Sequence, residues 1–282
     1  MPNETPCTLI ATRDHPAAIA RRVSLALHEE LTTYPKPGLV SCVDSGSHPD
    51  MDAACFHSSI ASLEPFFSEM ALAGSNSCSL FDLQKIGIAA EEAMLVATGG
   101  RNTHRGAIFC LGLLAAAAGR HTSATISCGL GKIVRLCWGE DLLLPGDLPA
   151  MSNGISMCHR HGISGVRGEA KSGFPSVYMI GLPALREALS FVSPEVAKVQ
   201  VFFELLAYSE DTTLLKRGGS EGWRFARTEA LRFLEAGGVR RQGWEADAVA
   251  IHHAFIARRL TAGGVADLLA ATLFVHEMES GI

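Results

Sequence analysis

Long runs of one chemical character are absent from this chain, and their absence excludes several classes of protein. The 282 residues carry a net charge of −5 with no extended basic segment, which argues against nucleic acid as a main partner. The longest apolar run, from Ala107 to Gly119, is shorter than the roughly 20 residues that span a bilayer. No basic start followed by an apolar run opens the sequence, so no secretory signal is visible. We expect a cytoplasmic protein that binds neither nucleic acid nor membrane.

Paired cysteines are also missing. The eight cysteines are scattered, without a CxxC pair and without the spacing of metal ligands. Thiols in such an arrangement are typical of a reducing compartment, where most of them serve as small core residues. They stand at Cys7, Cys42, Cys55, Cys78, Cys110, Cys128, Cys137 and Cys158.

Several catalytic and nucleotide-binding signatures are absent as well. GLGKI, from Gly129, lacks the upstream glycine and the Ser or Thr of a P-loop, and no GxGxxG opens a strand-to-helix unit. Neither HExxH nor GxSxG occurs, and the pairs His252 with His253 and His159 with His161 are poorly spaced for zinc. Catalytic zinc is therefore not expected, and any nucleotide site is of another kind.

Helical periodicity is present nearly everywhere. Apolar residues recur every three or four positions, and strand-like alternation is rare. Residues 1–15 are expected to form a poorly ordered tail, and residues 16–282 a single all-α domain of many helices with glycine-rich loops that form a nucleotide site. The predicted helices extend over Pro16 to Thr33, Ala53 to Ala73, Leu80 to Ala97, Ala107 to Ala118, Pro194 to Tyr208, Arg224 to Glu235, Ala246 to Leu260 and Val265 to Met278.

Three of the segments outside these helices are rich in β-branched residues or in glycine. Thr125 to Trp138 is rich in β-branched residues and is consistent with either a short helix or an irregular excursion. The glycine-rich stretches Gly162 to Pro175 and Ala207 to Gly219 are predicted as loops.

The stretch TGGRNTHRGA, from Thr98 to Ala107, places amide, hydroxyl, imidazole and guanidinium groups between glycines. Asn102, Thr103, His104 and Arg105 supply hydrogen-bond donors suited to a phosphate or a nucleobase edge. A helix that starts near His104 would direct its unpaired N–H groups toward the same turn and favour an anion there. The alternative is a loop whose glycines permit a turn and whose polar residues cap that helix.

A second polar segment is YPKPGLVSCVDSGSHPDMD, in which two prolines flank Lys36 and preorganise it. His48 and three carboxylates follow. Carboxylate oxygens suit magnesium better than zinc, and a nearby lysine helps to neutralise a polyphosphate. Together with the Thr98 to Ala107 stretch, the segment predicts a magnesium nucleotide site. The alternative is an acidic surface loop with an aspartate that caps a helix beginning near Met51. The carboxylates are those of Asp44, Asp50 and Asp52.

Two further polar clusters pair acid with base in the predicted loops. An arginine can bind phosphate through a bidentate fork, and an acidic side chain can bind metal or a ribose hydroxyl. A surface ion-pair network would give the same composition. The first cluster contains Arg167, Glu169 and Lys171, and the second contains Glu210, Asp211, Lys216 and Arg217.

Six stretches together resemble one family, the triphosphoribosyl-dephospho-CoA synthases. They are PKPGLV, GSHPDMD, ATGGRNTHRGAIFCLGLLAAA, GVRGEAKSGFPSV, EDTTLLKRGG and FIARRLTAGGVADLLAATLF, and the similarity extends from Ala20 to Phe274. The resemblance implies an all-helical enzyme that transfers the triphosphoribosyl group of ATP to 3′-dephospho-CoA and releases adenine. A downstream transferase would attach the product to an acyl carrier protein. YPKPGLVSCVDSGSHPDM is more similar to the malonate decarboxylase branch than to the citrate lyase branch.

The resemblance also implies roles for individual residues and a requirement for Mg²⁺. Catalytic or metal-binding roles are implied for four carboxylates, those of Asp50, Asp52, Glu91 and Asp211. Nucleotide or phosphate binding is implied for Lys36, His48, Asn102, Thr103, His104, Arg105, Arg167, Glu169, Lys216 and Arg217. The sequence departs from the family pattern at Arg101, Thr213, Thr261 and Ala262, which affects fine geometry rather than the type of reaction.

Alternatives from other classes remain open at this point. A magnesium-dependent hydrolase of N-glycosidic bonds in nucleotides would use the same acidic and basic residues. A nucleotide-binding protein without catalytic activity is a second alternative, and the same transfer serving citrate lyase is a third. Apolar residues on the long carboxy-terminal helices are expected to permit a homodimer.

Overall fold

The computed structural model describes residues 15–123, 128–143 and 153–280. This part of the chain contains twelve α-helices and no β-strand, so the predicted all-α, single-domain fold is confirmed. The predicted tail, apart from His15, and Cys7 lie outside the described residues. The helices are α1 Pro16–Thr32, α2 Ala53–Ser75, α3 Leu80–Ala97, α4 Arg105–Ser123, α5 Leu130–Trp138, α6 Asn153–His161, α7 Gly165–Lys171, α8 Leu182–Ala188, α9 Pro194–Tyr208, α10 Thr212–Glu235, α11 Trp244–Ala257 and α12 Gly263–Glu279.

Local signals in the sequence set several helix starts. Pro16 occupies the first turn of α1, where its missing N–H costs nothing. Ser79 and Asp82 form a capping box at α3, in which each side chain accepts a hydrogen bond from the other residue's backbone N–H. The Asp52 side chain accepts a hydrogen bond from the Cys55 N–H at 2.8 Å and thereby caps α2. This is the capping role that the sequence offered as the alternative to metal binding.

The centre of the fold is α4, which contacts α1, α2, α3, α5, α7 and α12. Its run from Ala115 to Ala118 is fully buried. The helix backbones of α2 and α4 lie very close together, since a Cβ added at Gly74 would lie 1.9 Å from the Ala116 carbonyl oxygen. Small residues permit this approach and hold α4 firmly, so its amino-terminal end has a fixed position.

The second half of the chain packs around α9, which contacts α8, α10 and α12. Two of its aromatic residues, Phe202 and Phe203, take part in this packing. Phe203 stacks on Phe233 of α10 with ring centroids 4.0 Å apart, and it meets Phe202 edge to face. At the other end of α10, the Val265 N–H donates a hydrogen bond to Asp211 Oδ2 at 2.9 Å, which links the start of α10 to the start of α12.

Two loop predictions were wrong. Within Gly162 to Pro175 the chain forms α7, and within Ala207 to Gly219 it forms the first turns of α10. The predicted helix start at Arg224 was twelve residues late because Gly219, at φ 59°, kinks α10 and interrupts its apolar pattern. The ambiguous segment before Trp138 is helical from Leu130 onward, while residues 124–127 lie outside the described part.

The surface does not support the expected location of a homodimer contact. Within the described ranges, the large apolar side chains that remain exposed include Phe81, Ile88 and Val96 on or beside α3, and none of them lies on α11 or α12. The homodimer itself stays a prediction. No helix in the described part of the chain is long and apolar enough to cross a membrane.

Candidate active site

A cleft divided into two chambers lies beside the amino-terminal end of α4. The larger chamber has a volume of about 390 Å³ and the smaller one about 170 Å³. Five residues line both chambers, and we call them the neck. The neck consists of Asn102, Arg105, Gly106, Thr213 and Asp267.

The Thr98 to Ala107 stretch forms the turn between α3 and α4 that carries the neck. Gly99 and Gly100 adopt positive φ angles of 63° and 86°, a conformation that favours glycine. The Asn102 side chain accepts a hydrogen bond from the Arg105 N–H at 3.1 Å, so Asn102 caps α4 while it faces the cleft. The capping interpretation of this stretch is therefore confirmed for Asn102, and its ligand-binding role stays a prediction.

The small chamber contains an unpartnered nitrogen of a buried histidine. His104 is 3% exposed, and its Nδ1 lies 2.7 Å from Ser59 Oγ. Thr103 Oγ1 donates a hydrogen bond to the same Ser59 oxygen at 2.7 Å, which leaves the Ser59 proton for His104 Nδ1. The single proton of the neutral ring then lies on Nε2, which has no partner within the described part of the chain.

The electrostatic surroundings keep this histidine neutral. Burial, together with the positive charges of Lys36 and His28, lowers the pKa of His104 from 6.5 to about 3. At physiological pH the ring is therefore neutral, and its buried Nε2–H lacks an acceptor within the described part of the chain. Apolar side chains surround this donor, among them Leu39, Val40, Met51 and Phe56.

Lys36 does not line either chamber in the described structure. Its ammonium group is 1% exposed and forms an ion pair with Glu30, which does line the small chamber. Burial raises the pKa of Glu30 and lowers the pKa of Lys36, while their mutual attraction acts in the opposite direction. The lysine therefore lies behind the wall of the cleft and acts on it through Glu30, and a direct contact with phosphate stays a prediction.

The segment that follows Lys36 is fastened to α11 and to the turn after it. The fully buried His252 lies 3.0 Å from Asp44 Oδ1 through Nε2 and 2.9 Å from the Lys36 carbonyl oxygen through Nδ1. Ser47 donates a hydrogen bond to the Leu260 carbonyl at 2.6 Å, and His48 Nε2 lies 3.1 Å from Thr261 Oγ1. These contacts hold His48 on the wall of the small chamber.

The large chamber is lined by charged side chains. Arg105, Arg167 and Lys216 supply positive charge, and Arg167 is supported by the Phe109 ring, 5.6 Å from its guanidinium carbon. Burial lowers the pKa of Arg167. Arg217 lies nearer to His48, with 3.5 Å between its Nη2 and His48 Nδ1. The structure therefore brings Arg105, Arg167 and Lys216 together on the wall of the large chamber.

Besides Asp267 of the neck, two carboxylates share the large chamber with these cations. Glu210 accepts hydrogen bonds from the backbone N–H groups of Ser164 and Gly165, both at 3.1 Å. Glu169 accepts from the hydroxyl and the backbone N–H of Ser176. Burial raises the pKa of Glu169, and the negative charge of Glu210 adds to this effect. The two carboxylates are thus close enough to interact.

The four carboxylates predicted as metal ligands are dispersed in the structure. Asp50 and Asp52 are exposed, and Glu91 forms an ion pair with Arg105 at the rim. Asp211 is 1% exposed and accepts hydrogen bonds from Thr213, Leu214 and Val265 at 2.7 to 2.9 Å, and burial raises its pKa to about 6. Among the described residues, no group of three or more His, Cys, Asp or Glu side chains is arranged to hold a metal ion. Their ligand roles stay predictions.

Three residues of this region were not predicted from the sequence. Asp267 is the only charged residue between Gly263 and Phe274, and a single carboxylate on an apolar helix was the signal that could have identified it. Glu30 lies near the end of α1, six residues before its partner Lys36, whereas His252 of α11 lies 208 residues after its partner Asp44. Nothing in the sequence around either residue indicates these contacts.

The described part of the chain is all-α and contains a cleft of two chambers lined by charged and apolar side chains, a form typical of a small-molecule site. Comparison with known proteins narrows this class. Residues 16–282 match the family described as ATP:dephospho-CoA triphosphoribosyl transferase. The chain belongs to this family of transferases.

Relatives of this chain carry consistent names. A 2-(5''-triphosphoribosyl)-3'-dephosphocoenzyme-A synthase of Pectobacterium atrosepticum is 40% identical over 272 residues, which cover 92% of this chain and 88% of the relative. A synthase of the same name from Klebsiella pneumoniae is 37% identical and covers 93% of this chain and 91% of its own length. A probable synthase from Acinetobacter calcoaceticus is 36% identical, with 90% of this chain and 88% of the relative covered. No solved structure matches the chain.

Proposed function

We propose that this protein transfers the triphosphoribosyl group of ATP to 3′-dephospho-CoA and releases adenine. The observation that carries the proposal is the division of the cleft at the neck. ATP has an uncharged base at one end and a polyanion at the other. The cationic side chains of Arg167 and Lys216 line only the large chamber, whereas the neutral His104 lines only the small one. The bond to be broken, between the ribose C1′ and adenine, then lies at the neck.

The small chamber is proposed to bind adenine. Its apolar side chains, among them Val40, Met51 and Phe56, suit a purine ring. A small shift of the side chains that cover the buried Nε2–H of His104 would let it donate a hydrogen bond to a ring nitrogen. An unpaired donor in a buried site is costly, so a ligand that pairs with it gains affinity and discrimination. The same hydrogen bond would stabilise the negative charge that develops on departing adenine.

The large chamber is proposed to bind the triphosphate. Arg105, Arg167 and Lys216 face it, and guanidinium groups bind phosphate oxygens in a bidentate manner. We also propose Mg²⁺ as the cofactor. Magnesium sites often use one or two carboxylates together with substrate phosphates, and the neighbouring Glu169 and Glu210 fit that requirement. The ion would neutralise part of the triphosphate charge.

Catalysis in this scheme depends on positioning. The neck residues and the α4 amino-terminal end hold the ribose between the two ends of ATP, and the 2′-hydroxyl of dephospho-CoA reaches C1′ from the large chamber. Correct orientation of two bound reactants lowers a barrier by roughly 7 to 11 kcal/mol. The oxocarbenium-like transition state would be stabilised by nearby carboxylates.

The product is proposed to serve malonate decarboxylase in the cytoplasm, after a downstream transferase attaches it to the acyl carrier subunit. The support for this branch is the similarity of the segment from Tyr34 to Met51. The seven cysteines in the described part of the chain are free thiols, which is consistent with a reducing compartment. The branch is tested by reconstitution: with the downstream transferase supplied, the product should modify the malonate decarboxylase carrier and restore decarboxylation.

The transfer is tested by incubating the purified protein with ATP, Mg²⁺ and 3′-dephospho-CoA. Liquid chromatography with mass detection follows free adenine and the mass of the CoA species together. We expect adenine to appear in step with a triphosphoribosyl adduct. Adenine with free ribose triphosphate and no adduct would instead establish a hydrolase, and binding of ATP without adenine release would establish a binding protein.

A further inference from the structure

The neck contains one carboxylate among its five residues, that of Asp267 on α12. Two neighbouring residues of α4 define the position of the Asp267 carboxyl group. The Ala107 backbone N–H donates a hydrogen bond to this carboxyl group. A Cβ added at Gly106 would lie 2.0 Å from Asp267 Oδ2, so the absence of a side chain at residue 106 makes room for it. The carboxyl group therefore lies between the two chambers, at the first turn of α4.

We propose that Asp267 is a catalytic residue, the general base that accepts the proton of the attacking 2′-hydroxyl. The inference rests on the proposed transfer reaction. In that step the 2′-oxygen of dephospho-CoA forms a bond to C1′ of ATP while the bond from C1′ to adenine N9 breaks. The electron pair of the broken bond leaves on adenine. The proton passes from the hydroxyl to Asp267 and then to the departing adenine, which regenerates the carboxylate.

The other carboxylates around the cleft are already engaged. Asp211 accepts three backbone hydrogen bonds, and Glu30 is paired with Lys36. Glu169 and Glu210 each accept two hydrogen bonds and face the large chamber rather than the neck. Asp267 is only partly buried and opens onto both chambers. It is therefore the carboxylate with access to C1′.

The surroundings of Asp267 also favour its action as a base. Burial raises the pKa of Asp267 well above its usual range, and the negative charges of Glu30 and Asp211 add to the increase, against the hydrogen bond from Ala107. Arg105 is the positively charged group at the neck, and Cys110 of α4 faces the same carboxyl group. A carboxylate with a raised pKa accepts a proton more readily at neutral pH.

The test compares Asp267→Asn with the wild-type protein in the coupled measurement of adenine and adduct. General-base catalysis typically contributes about 10² to 10⁴-fold, so we expect kcat to fall by roughly that factor with the Kd for ATP changed less than about threefold. Glu277→Gln, on the same helix but 58% exposed at its side chain, is the control and should keep wild-type turnover. Unchanged ATP binding shows that the Asn variant is folded.

Two further measurements separate a chemical role from a structural one. In the wild type, kcat/KM should fall as the pH is lowered through the pKa of Asp267. In Asp267→Ala, added formate should restore part of the adduct formation, because a small carboxylate can enter the space of the missing group. Wild-type protein that forms no adduct would overturn the proposed function and this inference with it. If the wild type forms adduct and Asp267→Asn keeps its rate, or if no acid-side decrease is found, the inference alone is wrong.

Discussion

The two chambers share a neck but are built from different kinds of contact. In the large chamber, charged groups face the cleft and each carboxylate already has hydrogen-bond partners. In the smaller chamber, apolar walls surround His104, whose Nε2 is unpaired within the described residues. Charge attracts at a distance and tolerates displacement, whereas a buried donor requires a ligand atom at one position. We infer that the large chamber supplies affinity and the small one recognises the base.

The largest effect should come from filling the neck that separates the chambers. In Gly106→Ala, the added methyl group would lie 2.0 Å from Asp267 Oδ2, so the carboxyl group must move by about 1 Å or more. Displacement of a reacting group by this distance costs about 100-fold, and we expect turnover to fall at least that much. Steady-state adenine release measures it.

The control for this substitution is Gly87→Ala in α3. A Cβ at that position meets only Met70 Cε at 3.8 Å, an ordinary contact. Alanine favours a helix interior by about 0.5 to 1 kcal/mol over glycine, so this variant should be slightly more stable and fully active. Wild-type turnover in Gly106→Ala would contradict the placement of the reacting atoms at the neck.

The next prediction concerns the large chamber and uses inorganic triphosphate as a probe. A charged hydrogen bond contributes about 1.5 to 3 kcal/mol, so Arg167→Ala should weaken triphosphate binding roughly 10 to 100-fold. The exposed Lys216 should matter less, because solvent screens its charge. Calorimetry at two salt concentrations measures both variants. Adenine binding should remain unchanged in each, and its loss in Arg167→Ala would show that the chambers are not independent.

The complementary substitution is His104→Asn in the small chamber. It removes a neutral hydrogen bond of about 1 kcal/mol together with ring packing, so we expect adenine binding to weaken about tenfold with triphosphate binding unchanged. Equilibrium binding of the two ligands measures this contrast. Equal losses for both ligands would indicate a general distortion of the cleft.

The same variant tests the titration of His104. The pKa of His104 is lowered to about 3 in the folded protein, so the unfolded chain binds the proton first as the pH falls below 6.5. The free energy of unfolding should then decrease between pH 6.5 and 3, by up to about 1.4 kcal/mol per pH unit more steeply in the wild type than in His104→Asn. Urea unfolding at several pH values measures the slopes, and identical slopes would contradict the buried neutral ring.

The sequence predicted the two chambers unequally. The polar stretch from Thr98 to Ala107 indicated a site because its side chains are unusual for an apolar neighbourhood, and five of its residues do line the small chamber. Long amphipathic helices such as α1 and α2 were predicted within a residue or two because their periodicity is local. Local sequence cannot show which helices meet, so the approach of Asp267 to Gly106, 161 positions earlier in the chain, was not foreseen.

The prediction of metal ligands from local sequence has the same limit. Several acidic residues close together in sequence predicted a ligand cluster, but a carboxylate at a helix start also satisfies free backbone N–H groups. Asp52 and Asp211 are both engaged in this way. Sequence spacing does not distinguish capping from coordination, because both place an aspartate just before a helix.

The smallest effect is expected at the rim, where Glu91, which lines neither chamber, pairs with Arg105 of the neck. A surface ion pair contributes about 0 to 1 kcal/mol, so Glu91→Gln should change kcat/KM less than about fivefold. If Glu91 instead bound magnesium, as the family resemblance implies, its loss would raise the Mg²⁺ concentration needed for half-maximal activity, which a magnesium titration measures. Glu92→Gln, the exposed neighbour on the same helix, is the matched control. A large increase in the half-maximal Mg²⁺ concentration in Glu91→Gln, without an increase in Glu92→Gln, would place the proposed metal at the rim instead of in the large chamber. Arg105, rather than Arg167, would then be the principal contact of the triphosphate.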